Sequence, residues 1–140
     1  MAKIYKTSDR IKINIDDVVV TVSPLTIEQK TEVQALMAEG RIKGDYAMLT
    51  KGIVKVIKYS VKDIDGLENA DGSKYKVELD NGVLSQETIE NIFNIELHTK
   101  LTLVCSSLVG SFPTSFRDSN GEPLEGVSFA KSEAEASSPN

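Results

Sequence analysis

The chain has 140 residues, 40% hydrophobic and 26% charged, with a formal net charge of −5. That length suits one domain able to bury a core of its own, and the acidic balance argues against a protein held to nucleic acid by phosphate contacts. A single cysteine excludes an internal disulfide and a redox thiol pair.

The charge is unevenly spread. Residues 1–110 hold 14 Lys+Arg against 16 Asp+Glu, net −2, while 111–140 hold 2 against 5, net −3. No segment reaches the ~20 apolar residues of a membrane helix, and the opening MAKIYKTSDR lacks the apolar run of a secretory signal. A cytoplasmic protein without membrane contact is expected.

Residues 1–9 read as a short mixed leader. Ile11, Ile13 and Ile15 then alternate with Lys12 and Asn14, and Val18, Val20 and Val22 alternate with Val19 and Thr21. Two β-branched runs around Asp16-Asp17 predict a β-hairpin with one apolar face. Ser23-Pro24 ends it. Thr26 with Gln29 predicts a capping box for a helix from Ile27 to about Glu39, with Ile27, Val33, Leu36 and Met37 on its apolar side. Gly40 and Gly44 bracket the break that follows.

Asp45 predicts the cap of a second helix, Tyr46 to about Val61, with an apolar stripe of Tyr46, Leu49, Ile53, Val56, Ile57 and Ser60. Lys51, Lys55, Lys58 and Lys62 form a separate line. Gly52 inside this helix costs about 1 kcal/mol against alanine, which points to close packing there. Residues 63–73, DIDGLENADGS, read as a loop of Asp-Gly turns. Tyr75, Val77 and Leu79 alternate with lysines and Glu78 as a third strand, and Asp80-Asn81-Gly82 is a tight turn. Ser85 predicts the cap of a helix from Gln86 to about Phe93, with Leu84 and Ile89 closing a hydrophobic staple.

Residues 95–109, IELHTKLTLVCSSLV, form the most apolar helix. Leu97, Leu101, Val104, Cys105 and Leu108 fit one face, while Leu103 and Val109 lie outside it, so this helix is central to a core or shares a second face with a partner. From Ser111 the chain is rich in Ser, Pro, Gly and Glu without periodicity, and a flexible acidic tail over 111–140 is expected. Its single apolar residues, Phe112, Phe116, Leu124 and Phe129, are spaced as in a segment that docks transiently. The fold class is therefore α+β: an N-terminal hairpin and a third short strand packed on about four helices in one domain over 1–110, with a disordered C-terminal tail.

Candidate chemistry is sparse. Asn69, Asp71, Gly72 and Glu78 match four positions of a calcium loop, but Leu67 would occupy its first ligand position. The lysine line reads as a solvated helix face. His98, the only histidine, and Cys105 are the one available nucleophile–base pairing, and seven positions along a helix, roughly 10 Å, separates them too far for a hydrogen bond. Phosphate-binding glycine loops are absent from the sequence. Neither catalytic nor cofactor nor metal residues are assigned, and no enzyme is expected. The surplus of apolar surface, from hairpin and helices, points instead to a protein that holds other chains.

In that layout the chain resembles tail assembly chaperones of tailed bacteriophages. The resemblance covers roughly residues 10–110 and is carried by IKINIDDVVVTVSPLTIEQK, by VIKYSVKDIDGLENADGSKYKVELDNGVLSQETIENI and by KLTLVCSSLVG. It implies a chaperone that binds the apolar tape measure protein, keeps it soluble, and gives way as tail tube protein polymerises round it in the host cytoplasm. A longer form made by ribosomal frameshifting would diverge near the tail. Leu36, Met37, Leu103 and Val109 are the expected contacts with the client or with another copy, in a homo-oligomer. A virion structural component (baseplate, tail or head–tail joining) shares the composition and is the alternative.

Overall fold

Strands β1 (Ile11–Ile15) and β2 (Val18–Val22) pair antiparallel, Ile13 opposite Val20 and Ile15 opposite Val18, in a computed structural model that describes residues 3–130. Asp16 turns the hairpin in the left-handed region at φ 52°, which an Asp side chain tolerates better than most. Ile13, Ile15, Val18, Val20 and Val22 are all buried, whereas Lys12, Asn14, Val19 and Thr21 on the other face are not. One face of the sheet is core and the other faces solvent.

Helix α1 (Ile27–Lys43) opens on the predicted capping box: the Gln29 N–H donates to Thr26 Oγ1 at 3.1 Å, and the Thr26 N–H donates to Gln29 Oε1 at 3.0 Å. It runs a turn past the expected end. Gly40 is buried inside the helix, where a Cβ would lie 3.0 Å from Leu49, and Gly44 at φ 64° ends it instead. Helix α2 (Tyr46–Ser60) is capped by Asp45, whose Oδ1 accepts from the Met48 N–H at 3.2 Å. Two apolar assignments change: Ile27 and Tyr46 are each 83% exposed, because the buried side of α1 is centred on Val33 and that of α2 on Gly52, Val56 and Ile57.

The third strand of the sheet is β3 (Val61–Asp65), which leaves α2 with no intervening loop and pairs antiparallel with β2. The predicted strand at Tyr75, Val77 and Leu79 reduces to β4 (Leu79–Asp80), which pairs only with β5 (Val83–Leu84) across Asn81-Gly82. Both turn residues have positive φ, 55° and 81°, as an Asn-Gly hairpin requires. Helix α3 (Gln86–Phe93) begins at its predicted cap, Ser85, whose hydroxyl accepts from the Thr88 N–H at 3.2 Å. Helix α4 (Leu97–Ser107) buries Leu101, Val104 and Cys105, with Leu108 after it. These side chains share one core cluster with Val56 and Ile57 of α2 and the inner face of the sheet.

The segment expected to be flexible from 111 onward is packed as far as the structure describes it. Strand β6 (Val127–Phe129) adds to the free side of β1, Ile13 opposite Phe129 and Ile15 opposite Val127, giving the sheet order β3-β2-β1-β6. Phe116 is buried, with its ring 4.9 Å from that of Phe129, and Phe112 lies 6.1 Å from the same ring. Aromatics spaced singly in sequence thus converge in space. The expected tail over 131–140 lies outside the described residues.

Candidate protein-interaction surface

The groups that carry nucleophilic or metal chemistry are occupied by the fold. Cys105 sits in the core, and burial pushes its thiol up to about 12, only partly offset by the neighbouring Ser60 hydroxyl. The thiolate that reacts is therefore scarce at neutral pH. His98 Nδ1 lies 2.7 Å from the Ile95 carbonyl oxygen, and its ring stacks 5.3 Å from Phe93.

In the calcium-like loop, Asp71 Oδ1 accepts from the Ser73 N–H at 2.9 Å. The Ser73 hydroxyl and backbone hold this carboxyl below its ordinary range. Among the described residues no three His, Cys, Asp or Glu side chains gather as metal ligands; an isolated bridge between Glu68 and Lys74 closes the segment as a surface turn.

The lysine line divides. Lys55 bonds Glu32 of α1 at 2.6 Å, and Lys62 lies on β3, where its Nζ donates to the Gly82 carbonyl at 2.7 Å. Burial, with Arg10 nearby, lowers the Lys62 pKa.

The four expected partner contacts lie on two helices and on the turn that follows the second. Leu36 and Met37 lie on α1, Leu103 lies on α4 and Val109 follows it, and α2 packs against both helices. Val109 is only 9% exposed and belongs to the core, so in this fold it has little surface left to offer a partner. Met37 packs half-buried against the same core, where a Cβ on Gly52 would lie 2.6 Å from its Cγ. Leu36 and Leu103 are also half-buried but stand outside the core cluster.

Other apolar groups face outward more fully. Ile27 is 83% exposed, Ile42 85% and Tyr46 83%, all on the helical hairpin of α1 and α2. A second apolar feature is a small groove between the loop after β3 and α3, lined by Leu67, Glu68, Tyr75, Asn91, Ile92 and Ile95. Its volume of about 80 Å³ is well below the roughly 300–1,000 Å³ of small-molecule sites. The Asn91 amide donates to the Tyr75 hydroxyl at 3.0 Å across its wall. Sequence periodicity missed Ile27 and Ile42 as surface groups. The available signal was that they share a face with Ala35 and Ala38, opposite Val33.

No helix among the described residues is long and apolar enough to cross a membrane. Comparison with protein-family models, with curated proteins and with solved structures gives no match.

Proposed function

We propose that this protein is a tail assembly chaperone of a tailed bacteriophage, holding the tape measure protein in solution while tail tube protein polymerises round it. The observation that carries the reading is the set of large apolar side chains left outside the core on helices and their ends: Ile27, Ile42, Tyr46 and Ile95, with Leu36 and Leu103 half-buried. A client with long apolar helical stripes is recognised by such faces. The resemblance over residues 10–110 supplies the identity of that client.

Co-expression with the tape measure protein of the same phage tests this. The client is expected to move into the soluble fraction and to co-purify. Leu36→Asp and Leu103→Asp each weaken the complex about tenfold, ~1.4 kcal/mol, while thermal unfolding of the free protein stays cooperative. A client that stays insoluble, together with this chain in purified particles, replaces the chaperone with a virion structural component.

A further inference from the structure

Helix α1 has a second face that the fold does not use. Val33 and Gly40 are buried against α2, with Leu36 and Met37 half-buried beside them. At about 3.6 residues per turn, Ile27, Thr31, Ala35, Ala38 and Ile42 fall on the opposite face, and all five are exposed. No charge interrupts this stripe, and its borders differ in sign. Lys30 and Arg41 line one side, Glu28 and Glu39 the other. Each base stands two positions after an acid of the opposite border, so the two lie at nearly the same height, about 3 Å apart along the axis.

We propose that this face pairs with itself in a second copy of the chain, α1 against α1, the two helices parallel. The charges set the direction. A two-fold axis along the helices brings the basic border of one copy to the acidic border of the other, Arg41 to the partner's Glu39 and Lys30 to the partner's Glu28. An antiparallel pair would bring like border to like. A second copy meets this charge pattern by symmetry, whereas an unrelated helix would have to match it independently. Ala35 and Ala38 let the backbones approach, and Ile27 and Ile42 pack towards either end. Arg41 has no ion-pair partner among the described residues, and Glu39 holds only an exposed contact with Lys43 at 2.6 Å. Lys30 donates to the Gly110 carbonyl at 3.0 Å, so the Arg41–Glu39 contact carries most of the direction. One helix seam covers less than the ~800 Å² per partner of a standard interface, which makes the dimer weak and concentration-dependent. Ile27 and Ile42 also belong to the apolar surface that carries the chaperone reading, but the dimer is read from the free chain without any client, so either reading can fail while the other stands.

Sedimentation equilibrium of the full chain at low salt, across the micromolar range, tests it. The mass is expected to rise with concentration from 15.3 kDa towards twice that value. Ala38→Glu and Ile42→Glu, at exposed sites, raise the dissociation constant at least about tenfold with melting temperature unchanged. Arg41→Glu weakens the dimer, and adding Glu39→Arg to it restores association. A mass of 15.3 kDa at every concentration overturns the proposal, as does a dimer indifferent to both glutamates. A dimer that Arg41→Glu tightens overturns the parallel arrangement.

Discussion

Glu32 ties the two long helices together from the first of them. Its Oε1 lies 2.6 Å from Lys55 Nζ, and its Oε2 accepts from the Tyr59 hydroxyl at 2.6 Å. Lys55 also sits 5.7 Å from the Tyr59 ring centre. The bonds from Lys55 and then Tyr59 hold the Glu32 carboxyl below its ordinary 4.5, and the same contacts hold Lys55 above 10.5 and Tyr59 above 10.0. A depressed carboxyl contributes stability above its unfolded pKa and loses it as pH falls through the folded value. Raised lysine and tyrosine groups contribute below their unfolded pKa and lose it as pH rises through the folded ones. The cluster is therefore strongest between about pH 4.5 and 10. With the Lys55 side chain 33% and Glu32 43% exposed, the effect is under about 1 kcal/mol. Denaturant melts are expected to show Glu32→Gln costing that much at pH 7 and progressively less as pH falls below 4.5; an equal cost at neutral and acid pH would assign the loss to packing and not to charge.

At the scale of elements, the contact between α1 and α2 depends on missing side chains. A Cβ on Gly52 would lie 2.6 Å from Met37 Cγ, so the helices approach where α2 has no side chain. Alanine there gains about 1 kcal/mol of helix propensity but overpacks the contact by about 1–3 kcal/mol. Gly52→Ala is expected to destabilise by about 1 kcal/mol in the native background and to stabilise by about as much once Met37→Ala has cleared the space. Equal effects in both backgrounds, read from urea midpoints, would remove Met37 as the cause. The sequence announced this glycine as a packing site and marked the caps at Thr26, Asp45 and Ser85, since those signals are local. It did not announce β3. There a bulge between Thr21 and Val22 shifts the register around Lys62, so Val61 and Ile64, three positions apart, are both buried. A search for strict alternation passes over such a strand. The outward use of Ile27 was hidden for a related reason: α1 carries apolar residues on two sides, and only packing decides which of them is covered.

For the molecule as a whole, the question is where the cooperative unit ends. Composition placed its boundary at Gly110, because 111–130 has the residues of a loose segment. Packing places the boundary later. Phe116 is 6% exposed within the core cluster. The Asp16 N–H donates to the Gly126 carbonyl at 2.8 Å, and the Ala130 N–H donates to the Lys12 carbonyl at 2.9 Å. Gly126 itself, at φ 77°, leaves room for Asp16 Oδ1, which pairs with Lys100 of α4 at 2.7 Å. Ending the chain after Gly110 removes these contacts and bares the hydrogen-bonding edge of β1. Loss of a buried Phe side chain alone costs about 3–5 kcal/mol, a large share of the roughly 5–15 kcal/mol that stabilises a domain. A chain ending at 110 is therefore expected to melt far below one ending at 130, or to be unfolded at room temperature. Phe116→Ala in the full chain should reproduce much of the shift. If the 110-ended chain kept the melting temperature and the denaturant slope of the longer one, residues 111–130 would be an appendage and the core would close without them. The expected fall instead makes β6 and the three phenylalanines part of one folding unit with the hairpin, joined across more than a hundred residues of chain.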